Sequence, residues 1–484
     1  MKQKMLLGLL AAGLLTGCGS QGSGMSSTMT EKQEEPVVVT VWNYYNGPQN
    51  EEFEHQVQQF NDTIGREQNI IVESVSMGAI QELMQTVSDS VKKKAGAESL
   101  PSLCAAYTDM AFKLNQKGLL ADMSPYLTEE ELGAYVDAYL DEGRFAGDGT
   151  IKIFPMAKST EVMTLNQTAW EPFAAETGTD LSELSTWEGV AAVAERYFQW
   201  TDEKTPGLAG DGEAFFGRDA FANYLLVGSR QLGHELFTMK DGSVVLDFDR
   251  DTMKKLWDYY YVPFVRGYYV CDGRFRSEDL KTGRLIACVC STSGAPYTPD
   301  MVVHEDGSRE AITCMILPLP NFAGTKPMAV QQGAGMVLLE GDDRTEQAAM
   351  EFLTWFTGTD VNLEFCLKSG YLPVTQEADI EEYLNQELKW EPEFSSALRD
   401  NLLTGMEMTK TYELCTMIPF EKGSEARGEL DAGMTVRAEE DREKVERMLA
   451  GGMTLEEAVE RLDPDAQFET WYEETKERLN TLVK

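Results

Sequence analysis

From Val37 onward, apolar residues alternate between two spacings. Val37 to Trp42 is a continuous, β-branched run, the pattern of a buried strand. Asn43 to Pro48 reads as a turn. Phe53, Val57 and Phe60 then recur at helical spacing within 50–64. Ile70 to Val75 predicts a second strand, Ile80, Leu83, Met84 and Val87 a second helix, and 101–106 a third strand leading into another helix. Strands alternating with helices predict a parallel sheet covered by helices. A second unit of the same kind is expected after residue 150. Its strands are expected at 151–155, 161–166, 285–290, 312–317 and 335–339, and its helices near 187–200 and 219–232. From Glu346 to the end the pattern is mostly helical. The fold class predicted is α/β.

Residues 19–36 are Gly, Ser, Thr, Met, Gln and Glu with almost no apolar pattern, and read as a flexible tether with an r.m.s. span of about 20–25 Å. Before them, Lys2 and Lys4 precede an apolar run from Met5 to Leu15, which ends in Leu15-Thr16-Gly17-Cys18. The run is too short to span a bilayer. Together these features resemble a bacterial lipoprotein signal (residues 1–17), with Cys18 as the acylated new amino terminus. The expected location is the extracytoplasmic face of the cell membrane, held by the lipid.

The chain of 484 residues carries 81 acidic and 42 basic side chains, a formal charge of −39. That charge repels phosphates and argues against a nucleic-acid partner. Of eight cysteines, Cys18 belongs to the lipid site and seven remain, an odd number. There is no Cys-x-x-Cys pair, and the three histidines (His55, His234, His304) are far apart in sequence, so neither a metal nor a cofactor is expected. Asp247, Asp249 and Asp251 alternate as in a calcium loop but lack its glycine and distal glutamate, and read as a turn and helix cap. Trp257 and Tyr259–Tyr261 read as core. No Gly-x-Ser-x-Gly elbow, metal-binding helix or phosphate loop is present, so the chain is not expected to be an enzyme.

Four stretches together resemble the extracellular solute-binding proteins of ABC importers, of the sugar- and glycerol-phosphate-binding type. They are Val41-Trp42-Asn43-Tyr44-Tyr45-Asn46-Gly47; Phe154-Pro155-Met156-Ala157-Lys158-Ser159-Thr160 leading to Leu165-Asn166; Gln332-Gly333-Ala334-Gly335; and Ala348 to Phe356 followed by Ser369-Gly370-Tyr371-Leu372-Pro373-Val374. The resemblance implies a two-lobe periplasmic-binding-protein-like fold with three inter-lobe crossing segments, near Ala157–Glu161, Pro320–Ala323 and Tyr371–Val374. Lobe 1 would hold 37–157 plus 321–371, and lobe 2 would hold 158–320 plus 372–484. It also implies a permease partner and a solute trapped between the lobes.

Ligands in open α/β sheets sit beyond the carboxyl ends of strands. That rule selects Trp42, Tyr44, Tyr45 and Asn46 after the first strand, and Tyr107 and Asp109 after the third. Aromatic faces for stacking beside amide and carboxylate groups suit a sugar. Ser291, Ser293 and Gly294 follow the strand ending at Cys290 and offer hydroxyl and backbone donors, with Tyr297 nearby. Lys158 and Ser159 lie at the first crossing, where a lysine can meet an anionic or hydroxyl-rich ligand or bridge the hinge. The resemblance adds Gln332, Gly333 and Gly335 as a glycine-containing strand entry, and Tyr371 at the third crossing. Arg274 and Arg276 read as an anion clamp or, more simply, a solvated loop. The expected ligand is a sugar or oligosaccharide. Glycerol 3-phosphate or another phosphorylated polyol is the alternative, and an exported carbohydrate-active hydrolase or surface sensor is the alternative of another class.

Overall fold

The strand expected from Val37 is β1 (Val37–Asn43), and it lies at the centre of the first sheet. The computed structural model describes residues 35–205, 210–304, 306–379, 382–383 and 396–484. The lipoprotein-like leader, Cys18 and nearly all of the tether lie outside them. β2 (Ile70–Ser76) and β3 (Leu103–Ala106) flank β1, and both run parallel to it. These are the βαβ crossovers that the sequence pattern predicts. Helices Pro48–Phe60 and Ile80–Val91 make the connections and pack Phe53, Val57, Phe60, Leu83 and Val87 into the first core.

The second sheet departs from the parallel expectation. Its order is β11 (Cys314–Pro318), β4 (Glu161–Asn166), β8 (Ala287–Ser291), β5 (Phe216–Arg218), and only β5 with β8 is parallel. β4 is buried along its whole length between two antiparallel neighbours. A continuous apolar run signals burial on both faces and does not distinguish strand direction. Residues 151–155, expected as a strand, form only a single bridge, Phe154 to Met336. The remaining strands are short: hairpins β6 (Phe237–Lys240) with β7 (Ser243–Leu246) and β9 (Met301–Val303) with β10 (Arg309–Ala311), and the parallel pair β12 (Met328–Val330) with β14 (Glu413–Cys415). β13 (Gly335–Leu338) joins the first sheet antiparallel to β3.

Two large apolar clusters correspond to the two sheets. The first gathers residues from Val39 to Ala157 and from Ala334 to Val374. The second begins at Val162 and takes in the C-terminal helices Gly423–Ala450, Leu455–Leu462 and Pro464–Leu482 through Leu430, Met434, Phe468 and Trp471. Trp257 stacks on Tyr261 with ring centroids 3.6 Å apart inside this second core, as expected of core aromatics. Phe322 and Ala329 also pack there, whereas Ala334 packs in the first core. The chain therefore changes cores about ten residues after the expected Pro320–Ala323. The Asp247–Asp251 stretch holds a helix cap: Asp249 accepts the Thr252 backbone N–H at 2.9 Å, opening helix Arg250–Val265.

Candidate functional site

Two passages between the cores and a third segment, 371–374 at the edge of the first core, are hydrogen-bonded side by side. Lys158 and Leu372 exchange two backbone bonds (3.1 and 2.6 Å), and Ser159 and Gln332 exchange two more (2.9 and 2.8 Å). The first passage is thus the middle strand of a small ladder. Asn362, fully buried, ties the first passage to the third: its amide donates to the Met156 carbonyl at 2.7 Å, and its oxygen accepts the Val374 N–H at 3.0 Å. Gly333 has φ +91, and a Cβ there would stand 2.8 Å from the Ala157 carbonyl oxygen. Only glycine holds that turn beside the first passage without strain.

Lys158 has no solvent exposure. Its ammonium pairs with Glu142 and donates to the Gly333 carbonyl at 2.8 Å, and Glu142 also accepts from Gln331 at 3.0 Å. The lysine is therefore a bridge across the passages, one of the two readings its position allowed. Ser159 is buried in the ladder.

Two cavities adjoin at Gln332 and Ala220. The smaller, of about 530 Å³, is lined by Tyr107, Asp109 and Glu142 from the first lobe, Gln332 and Gly333 from the passages, and Arg230, Arg427 and Asp431 from the second lobe. Its cations are already engaged. Arg230 bonds Glu413 at 2.8 Å and lies 3.3 Å from Glu235, and Arg427 donates to Asn223. The larger, of about 1010 Å³, is lined by Asn46 and Gln49 from one side and by Glu161, Asp219, Phe275, Ser291, Ser293, Gly294 and Tyr297 from the other. Gln49 spans it, donating to the Ser293 carbonyl at 3.1 Å.

Asn46, Tyr107, Asp109, Ser291, Ser293, Gly294, Gln332 and Gly333 thus face this double cleft. The other selected residues do not line it. Trp42 and Tyr45 are buried in the first core, with Tyr45 against Phe53 and Phe365 at ring distances of 5.2 and 5.4 Å. The carboxyl end of β1 (Val41–Asn43) is buried on both faces, and these rings turn into the core with it. Tyr44 and Tyr371 bond each other, hydroxyl to hydroxyl, at 3.0 Å, and Tyr44 accepts the Ala334 N–H at 3.3 Å. Burial, and then each phenol's aromatic neighbours, push both hydroxyls well above the usual tyrosine range, so they remain protonated. At Gly335 a Cβ would meet Ile153 at 2.3 Å, so this glycine admits a close crossing of chains. Arg276 is neither clamp nor solvated: it is buried and bound to Asp279, Asp219 and the Gly273 carbonyl. Arg274 is exposed at the rim, 5.2 Å from the Phe275 ring.

Sequence reasoning missed several wall residues. Glu161 sits at the start of β4, pairs with Arg218 at 2.9 Å and accepts from Asn223 at 2.7 Å. Asp219 follows β5 directly, and the strand-end rule would have selected it had a three-residue strand been visible. Burial raises its carboxyl to about 6 against the opposing pull of Arg276. Exposed rings are the strongest additional signal: Tyr107 (37% exposed), Phe275 (50%) and Tyr297 (49%) all line the cleft. The seven described cysteines are free thiols, and Cys288 and Cys290 line the larger cavity.

The chain belongs to the family described as bacterial extracellular solute-binding protein, whose model matches residues 55–393. No curated protein sequence matches it. Among solved structures it is similar to a cyclic α-maltosyl-1,6-maltose binding protein from Arthrobacter globiformis (18% identity, TM-score 0.62, covering 93% of this chain and 99% of that one). It is also similar to UgpB from Mycobacterium tuberculosis, solved in complex with glycerophosphocholine (16%, 0.64, 93% and 98%), and to a Listeria monocytogenes ABC substrate-binding protein in complex with cycloalternan (13%, 0.62, 92% and 100%). At these identities the likeness establishes the fold: two α/β lobes joined by three crossing segments. No described helix is long and apolar enough to cross a membrane.

Proposed function

We propose that this protein is the receptor of an ABC importer, and that it captures a sugar or oligosaccharide in the double cleft and passes it to a membrane permease. The carrying observation is the cleft itself: two adjoining cavities between the lobes, beside the hydrogen-bonded passages that connect them. Residues 37–157 with 334–371 would move as one lobe and 162–329 with the C-terminal helices as the other. Ligand touching both walls favours the closed form in proportion to those added contacts.

Exposed Tyr107, Phe275 and Tyr297 offer flat faces to sugar rings. Asn46, Asp109, Ser291, Ser293 and Gln332 offer the hydroxyl partners. The buried Gln332 Oε1 has no hydrogen-bond partner, which is costly unless a ligand donor meets it. Phosphate fits less well, because Arg230 and Arg427 of the smaller cavity are already bound, and in the larger cavity Glu161, Asp219, Glu278 and Asp300 outnumber Arg274 and Lys281. Glycerol 3-phosphate and its diesters therefore remain the second reading, motivated by the UgpB complex. The protein binds without turnover in this reading, and Cys18 carries the lipid that keeps it beside its permease.

A thermal-shift panel of neutral oligosaccharides and glycerol 3-phosphate decides between these ligands, since binding to the native state raises apparent stability. A shift with glycerol 3-phosphate alone would reverse the order. Small-angle scattering with a confirmed ligand must show compaction, and chemical change of a bound glycan would replace the receptor by a hydrolase. Protein that stays on membranes after Cys18→Ala would remove the lipid anchor from the scheme.

A further inference from the structure

Three of the seven described cysteines gather in one small apolar cluster beside the larger cavity. β8 carries Cys288 and Cys290 two residues apart, so both side chains leave the same face of the strand. Both line the cavity, Cys288 buried and Cys290 half-buried. Cys314, on β11, packs in the same cluster with Leu280 and Leu285, but its thiol is turned to the Pro299 carbonyl, to which it donates at 3.4 Å. Cys415, by contrast, is the single thiol in the wall of the smaller cavity.

Two residues along a strand are about 6.7 Å apart between Cα atoms. That is the upper edge of what a disulfide bridges, about 4.4–6.8 Å, so the extended strand keeps this pair as thiols. Hydrogen bonding to Cys290, and then burial, hold the Cys288 thiol well above its usual range, and it stays protonated. Among the described residues, no third His, Cys, Asp or Glu completes with this pair a trio of ligand atoms within 4.8 Å of one another. Zinc takes four donors and is not served by two sulfurs. A soft centre suits thiolate sulfur, and trivalent arsenic already bonded to one carbon has two positions left, which two thiols fill. The cavity also has room for the carbon side, because Phe275, Leu280 and Met301 line it.

We propose that Cys288 and Cys290 form a chelating dithiol that captures organic arsenicals of trivalent arsenic in the wall of the larger cavity. Each sulfur forms one bond to arsenic, and the two arsenic–hydroxyl bonds of the hydrated arsenical break. The two thiol protons leave with those hydroxyls as two waters. Arsenic stays trivalent, so no oxidant or reductant takes part. The organic group lies in the cavity against the exposed Phe275 ring.

The test is intact-mass spectrometry of the full chain after treatment with one equivalent of phenylarsine oxide. The unaltered protein should carry one phenylarsenic group, retained in excess mercaptoethanol, a monothiol, and released by dithiothreitol, a competing dithiol. Cys288→Ser and Cys290→Ser should each retain at least tenfold less in mercaptoethanol, whereas Cys415→Ser should retain as much as the unaltered protein. Absence of the group from the unaltered protein overturns the proposal. So does undiminished retention in either β8 variant; retention in Cys288→Ser with loss in Cys290→Ser would assign the capture to Cys290 with Cys314. If circular dichroism shows that Cys288→Ser does not fold, Cys290→Ser, at the half-buried position, carries the comparison, and undiminished retention there overturns the proposal.

Discussion

The two cavities of the cleft differ in what their walls have left to offer. In the smaller, Glu142 is held by Lys158 and Gln331, and Arg230 by Glu413. Its charges mostly hold the protein together. In the larger, Phe275 and Tyr297 stand half exposed beside the hydroxyls of Ser291 and Ser293, which bond each other at 2.9 Å. A wall whose polar groups are already satisfied gives shape and rigidity. A wall with exposed rings and loosely committed hydroxyls has free energy to gain from a ligand. In the proposed receptor the smaller cavity would belong more to the hinge and the larger more to recognition.

Four measurements would break or sharpen that contrast. The largest effect is expected at the hinge. Lys158→Met leaves the Glu142 charge buried without its partner, a loss of roughly 3–5 kcal/mol, read by urea denaturation. A loss below about 1 kcal/mol would mean that the smaller cavity's wall is not structurally committed. Next, Gly333→Ala forces a Cβ toward the Ala157 carbonyl at positive φ and should destabilise by about 1–3 kcal/mol, again read by denaturation. Unchanged stability would show that the passages can rearrange.

Phe275→Ala and Tyr297→Ala should each weaken ligand binding about tenfold, the equivalent of roughly 1.4 kcal/mol. Folding stability should stay within about 0.5 kcal/mol. Tyr107→Ala, in the smaller cavity, should cost less affinity, and the reverse ranking by calorimetry would invert the contrast.

The last measurement concerns pH. Asp219 holds its proton to about 6 in the folded protein, above its unfolded value of 3.8. Its contribution to stability is therefore complete below about pH 4 and is lost as pH rises through 6. Asp219→Asn should remove that decline, on the order of 2 kcal/mol between pH 4 and 6.5. Parallel stability curves for the two proteins would contradict the buried setting of this carboxyl.

Much of the cleft was legible wherever a long strand ends in a loop. Asn46 follows β1, Tyr107 and Asp109 follow β3, and Ser291 begins the turn leaving β8. The same rule overreached at Trp42 and Tyr45, because an aromatic at a strand end can turn either to the core or to the cleft, and the end of β1 is packed on both faces. It underreached at Asp219, because β5 has only three residues and no period to read. Arg276 looked solvated in sequence, yet its partners Asp219 and Asp279 bury it. The second sheet was expected parallel because buried runs look alike whichever way their neighbours point.

The sequence by itself determined most of the longer strands and helices, the three parallel strands of the first sheet and the family to which the chain belongs. Each is recorded in local periodicity or in short motifs that need no distant partner. Tertiary structure alone decided that Lys158 spends its charge on Glu142, that the second passage lies at 331–333, that Phe275 faces the cleft and that Tyr44 meets Tyr371. These depend on residues brought together from as far as three hundred positions apart. A side chain's partner is set by the packing of both segments, and no single stretch of sequence carries that information.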